Sequence, residues 1–172
     1  MITKSFIENL ISNQRRTVAR AITVVETSNS ESSGLLKQIY ARVGKAYRIG
    51  ITGPPGAGKS TITNQLTKLY RKQNNTVGII AVDPTSPFTG GALLGDRVRM
   101  SEIGQDPGVF IRSMATRGSL GGLSKKAIDA ADVLDAAGYD IILLETVGVG
   151  QSELDIANAA DTTIVVLVPE SG

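Results

Sequence analysis

The 172 residues are 41% hydrophobic and 20% charged, enough for one domain with a sizeable core, and their formal net charge of +2 excludes the strongly basic surface that tracks nucleic acid. With no Cys and no His, the chain has no disulfide scaffold, no zinc site of the usual ligand sets, no His-ligated haem and no nucleophile activated by an imidazole. Lys, Arg, carboxylates, hydroxyls, backbone N–H groups and hard metal ions remain as its chemical inventory.

Residues 1–46 read as helical. Phe6, Leu10 and Ile11 fall on one face, and Val18, Ile22 and Val25 recur at three-to-four spacing among Arg15, Arg16 and Arg20. A polar run, Thr27 to Ser33, separates these from a further helix over Leu35 to Val43. From Tyr47 the pattern becomes short apolar runs alternating with helical periodicity, which predicts a second unit, 47–172, built on a mostly parallel sheet flanked by helices. Strands are expected at Arg48 to Thr52, Val77 to Val82, Val109 to Arg112, Ile141 to Glu145 and Thr163 to Val168. Their continuous apolar character implies that both sheet faces are covered. Crossover helices are expected at Ser60 to Gln73, with Ile62, Leu66, Leu69 and Tyr70 in one stripe, and at Leu123 to Ala137, with Leu123, Ala127, Ala130, Ala131 and Leu134. Right-handed crossovers then gather the loops after the strands on one sheet edge, where such folds bind ligands.

No apolar run approaches the about 20 residues of a membrane span. Met1 to Leu10 carries Lys4 and Glu8 and shows no signal-peptide core, so a cytoplasmic location away from membranes is expected. Of the 19 glycines, 11 lie between Gly90 and Gly150, which marks the middle of the chain as rich in tight turns or close approaches.

Directly after the first strand stands Gly53-Pro54-Pro55-Gly56-Ala57-Gly58-Lys59-Ser60, a complete GxxxxGKS loop opening into a helix. Such a loop turns consecutive N–H groups, here Gly56 to Thr61, toward phosphate oxygens at a helix N-terminus. Lys59 supplies the charge for the β- and γ-phosphates and Ser60 a hydroxyl for Mg2+. Asp83, Asp96 and Glu145 sit at loop or strand-end positions that suit a metal and phosphate site. Any one of them could equally be a cap or turn former, although Glu145, after a hydrophobic strand, has the Walker-B arrangement.

Six motifs in order carry a family resemblance: the Gly53 to Ser60 loop; Val82-Asp83-Pro84-Thr85-Ser86-Pro87; Leu94-Gly95-Asp96-Arg97-Val98-Arg99-Met100; Phe110-Ile111-Arg112-Ser113-Met114-Ala115; Arg117-Gly118 with Leu120-Gly121-Gly122; and Glu145-Thr146-Val147-Gly148-Val149-Gly150-Gln151-Ser152-Glu153. Together they resemble the MeaB/ArgK family of P-loop GTPases, of the signal-recognition-particle-like class, over almost the whole chain. The resemblance implies GTP and GDP as ligands and Mg2+ held by Ser60, Asp83, Asp96 and Glu145. It implies switch I around Asp96 and switch II over Gly148 to Glu153, with Lys59 as a catalytic cation. It also implies action as a chaperone of a cobalamin-dependent acyl-CoA mutase and, in full-length form, a homo-oligomer. The family's older name, LAO/AO transport system kinase or ATPase, keeps an ATP-dependent role in amino-acid transport as the alternative.

The family continues into an Asn-Lys-x-Asp guanine-reading motif and a dimerisation arm, whereas this sequence stops just after the fifth strand. A truncated frame or fragment with an exposed sheet edge is therefore expected, and a phosphate-binding module without turnover is the third reading. Gln151, the candidate water-positioning residue, follows Gly148 by three positions rather than directly as in Ras-like enzymes. Slow hydrolysis is expected. Arg97, Arg99, Arg112 and Arg117 are candidate charges for the site or, with equal weight, ordinary surface residues.

Overall fold

Five short strands lie side by side in one parallel sheet. Ile141–Glu145 at its centre is apolar and buried along its whole length, with helices over both faces. The edge strand Thr162–Val165 begins with two threonines and stays partly exposed, contrary to the expectation that every strand is covered on both faces. The computed structural model describes residues 2–27, 30–83, 101–115, 120–146 and 151–169. In chain order the elements are α1 (Lys4–Ile11), α2 (Arg15–Thr27), α3 (Ser30–Ile39) with a following 3-10 turn (Tyr40–Arg42), β1 (Tyr47–Thr52), α4 (Lys59–Lys72), β2 (Val77–Asp83), α5 (Ser101–Gly104), β3 (Val109–Ala115), α6 (Leu120–Ala136), β4 (Ile141–Glu145), α7 (Gln151–Asn158) and β5 (Thr162–Val165). The sheet order is β3-β2-β4-β1-β5 with every pair parallel, the α/β architecture expected.

Alternate residues of the strands enter two cores. Ile142 and Leu144 join Leu10, Val18, Ile22, Leu35 and the Ala127, Ala130, Ala131, Leu134 face of α6, so the N-terminal helices cover one side of the sheet. Ile141 and Leu143 join Ile49, Ile51, Val77 and Ile79 against Ile62, Leu66 and Tyr70 of α4 on the other. The completely buried Asp135 carboxylate of α6 accepts the N–H groups of Gly44, Lys45 and Ala46 at 2.8, 3.2 and 3.1 Å and the Arg48 guanidinium at 3.1 Å. It thereby ties the lead-in to β1 down onto α6. Burial works against the Arg48 charge, but hydrogen bonds and fields from Asp132 and Asp135 outweigh it and raise the arginine's pKa.

Three further details differ from expectation. The polar run Thr27 to Ser33 is partly helical, since α3 starts at Ser30 with Glu31 in its first turn, where a carboxylate complements the helix dipole. Strand β5 covers Thr162–Val165 rather than reaching Val168: its partner β1 ends at Thr52, and after the Val166 N–H bonds to the Thr52 carbonyl at 2.8 Å no ladder remains. Leu69 is 51% exposed at the rim of the α4 stripe, whose buried centre holds Thr63 and Thr67 instead. The Leu123 side chain lies outside the described residues.

Candidate functional site

Strand β1 lies between β4 and β5, so the loop that follows it emerges at the carboxyl edge of the sheet beside the last residues of both neighbours. Ile51 is level with Glu145 of β4, and Thr52 with Val165 of β5. At Gly53 the backbone turns with φ +136, and a Cβ there would stand 2.1 Å from the Val166 carbonyl oxygen. Only glycine fits both the angle and the approach. The loop ends at Gly58, left-handed at φ 96, which caps α4 without a side chain and leaves the helix N-terminus open.

Lys59, 7% exposed, donates through Nζ to the Gly53 and Pro54 carbonyls at 2.8 and 2.9 Å, so the loop wraps around its own ammonium. The Ala57 N–H closes a turn onto the Pro54 carbonyl at 3.2 Å. In the first turn of α4 the Ser60 hydroxyl donates to Glu145 Oε1 at 2.6 Å, and one turn further on the Thr63 hydroxyl donates to Oε2 at 2.8 Å. Glu145 is itself 7% exposed at the end of β4. An alcohol and a buried carboxylate meeting beside a phosphate-type loop are the hard-oxygen donors that suit Mg2+, which takes few protein ligands. The residues present therefore fit the ion that the loop implies.

The structure brings Gly53, Pro54, Pro55, Gly56, Ala57, Gly58, Lys59, Ser60 and Thr61 into one loop and helix start, with Glu145 alongside. Asp83 ends β2 two residues beyond Ala81, the residue level with Glu145, which places its backbone on the same edge. Its side chain, all of Asp96, and the side chain of Gln151 at the start of α7 lie outside the described residues, as do Arg97, Arg99 and Arg117. Among the described residues no group of three or more acidic side chains gathers at one point. Arg112 is taken up elsewhere: it pairs with Glu26 and reaches the Thr23 hydroxyl of α2, tying β3 to the N-terminal helices. Thr63 was missed by the sequence reading. Its signal is a hydroxyl on the buried face of α4, a face it shares with Thr67, four residues after Lys59.

Residues 18–172 match the family model described as methylmalonyl Co-A mutase-associated GTPase MeaB. The Pyrococcus horikoshii protein PH0274 is 59% identical over 166 residues, which make up 96% of this chain and 52% of that protein. The GTPase ArgK of Escherichia coli is 41% identical over 170 residues, 96% of this chain and 51% of ArgK. A crystal structure of an LAO/AO transport system kinase superposes with a TM-score of 0.76 at 32% identity, covering 97% of this chain and 51% of that one. The chain thus spans about half the length of the curated relatives it matches.

Proposed function

The chain belongs to the MeaB family of methylmalonyl-CoA mutase-associated GTPases, and from that membership we propose that it binds GTP and GDP with Mg2+ at the Gly53 to Ser60 loop and hydrolyses GTP slowly. The observation that carries this reading is the meeting of Lys59, Ser60 and Glu145 where β1 and β4 end. Lys59 offers the phosphates a desolvated positive charge that is already oriented by two carbonyls, so little reorganisation is needed when phosphate oxygens compete for it. Ser60 and Glu145 would hold the metal, with Asp83 and Asp96 as the further carboxylates of the same site. Bound Mg2+ supplies a Lewis-acid centre that offsets negative charge on the phosphates.

Gln151 is the residue we propose for orienting the attacking water, with the Asp96 loop and Gly148 to Glu153 as the segments that respond to the γ-phosphate. We further assign the GTPase cycle to the chaperoning of a cobalamin-dependent acyl-CoA mutase in the cytoplasm, by a full-length protein that self-associates. Support for the mutase comes from the family's association with methylmalonyl-CoA mutase, and the likeness to ArgK and to the LAO/AO transport system kinase supports the nucleotide chemistry. Competition binding tests the base: GTP should displace a labelled GDP at concentrations where ATP does not. Equal displacement by ATP would instead favour the transport-kinase reading, which the likeness to the LAO/AO transport system kinase supports.

A further inference from the structure

Glu145 is gripped from two sides. Its Oε1 accepts from Ser60 at 2.6 Å and its Oε2 from Thr63 at 2.8 Å, and Thr63 has no exposed surface at all. The Thr63 oxygen also lies 3.0 Å from the Lys59 carbonyl oxygen, but a hydroxyl has one proton. A carboxylate is the stronger acceptor, so that proton belongs to Glu145. The terminal torsion of a glutamate is soft, with a broad two-fold profile, and one donor on one oxygen leaves the carboxylate free to swing about that contact. Two donors, one on each oxygen and both from the same helix, fix its plane.

Packing alone does not call for this hydroxyl. At a fully buried position between α4 and β4, Val has nearly the volume of Thr and carries no polar group to desolvate. We infer that Thr63 is a positioning residue, which orients the Glu145 carboxylate for Mg2+ and so sets how strongly nucleotide binding depends on that ion. The inference rests on the proposed Mg2+-nucleotide site and adds a residue that never touches the nucleotide.

The test compares Thr63→Val and Thr63→Ser by titrating a fluorescent GDP over a series of Mg2+ concentrations and in EDTA, with thermal melts to confirm folding. Outer-shell partners of metal ligands typically change metal affinity by about 10- to 100-fold. Thr63→Val should therefore raise the half-saturating Mg2+ concentration roughly tenfold, with the loss confined to samples containing Mg2+. Thr63→Ser, which keeps the donor, should stay close to the parent protein. A valine variant with the parent's Mg2+ dependence overturns the inference, as does a serine variant shifted as far as the valine one. If valine prevents folding, the near-isosteric pair Thr63→Ser and Thr63→Cys decides, since the thiol is a poor donor and should show the shift alone. Absence of any Mg2+-dependent nucleotide binding by the parent protein is a separate result, and it removes the proposed function itself.

Discussion

Ser60 and Glu145, 85 residues apart in sequence, meet at 2.6 Å where the first turn of α4 faces the end of β4. This hydrogen bond joins the phosphate-type loop to the acidic strand end.

Replacing Lys59 by Ala removes the ammonium from the loop and frees the Gly53 and Pro54 carbonyls that it holds. Charge-assisted hydrogen bonds contribute about 1.5 to 3 kcal/mol, so nucleotide affinity should fall roughly 10- to 100-fold and hydrolysis further still. Calorimetric titration with GDP and GTP measures the first. Parent-like affinity in this variant would falsify the loop assignment.

Gly53→Ala meets two obstacles at once, a φ of +136 and a carbonyl oxygen 2.1 Å from the new methyl group. The neighbour is backbone of the segment after β5, so it has no rotamer through which to yield. Strain of this kind costs about 1 to 3 kcal/mol and here adds to the clash. Urea denaturation should show lower stability, and nucleotide binding should weaken with it. A variant as stable as the parent would mean that the loop has room the structure denies.

Asp106 pairs with the Arg71 guanidinium through both carboxylate oxygens at 3.0 Å, and its carboxyl is held below the usual range chiefly by that hydrogen bond. Because the folded-state pKa is depressed, the stabilisation is complete above the unfolded value near 3.9 and disappears as pH falls through the folded value. Asp106→Asn should lower stability at pH 7 by no more than about 1 kcal/mol, as expected of a partly exposed pair, and flatten the acid limb of the stability curve. Identical acid limbs in the two proteins would show that the pair contributes nothing.

Hydrolysis by the chain alone should be slow. Lys59 and a bound metal supply charge, but Arg112 is engaged with Glu26 on the N-terminal helices and is not available to the phosphates. An arginine brought in by a partner is worth about 10³ to 10⁵ in rate where it operates. Single-turnover GTP assays should therefore give rates far below the about 1 s⁻¹ of self-sufficient phosphoryl-transfer enzymes, rising when a mutase-type partner is added. Rapid unaided turnover would require a catalytic group other than those proposed.

Much of this molecule is legible along the chain. The loop motif from Gly53 to Ser60, the alternation of apolar runs with helical stripes and the acid that closes β4 are local patterns, and local patterns survive in one dimension because side-chain period and turn chemistry act over a few residues. The strand order β3-β2-β4-β1-β5 is not local, and it is what sets Glu145 beside the loop. Three outcomes depended on neighbours far away in sequence. Strand β5 stops where β1 runs out of ladder, Arg112 turns to Glu26, and Thr63 directs its hydroxyl at a carboxylate 82 residues on. Along α4 the sequence marks Thr63 only as a hydroxyl on the buried face and does not say which group that hydroxyl meets. Only the packing of α4 over the end of β4 supplies the acceptor, and a buried hydroxyl takes its meaning from the acceptor it finds.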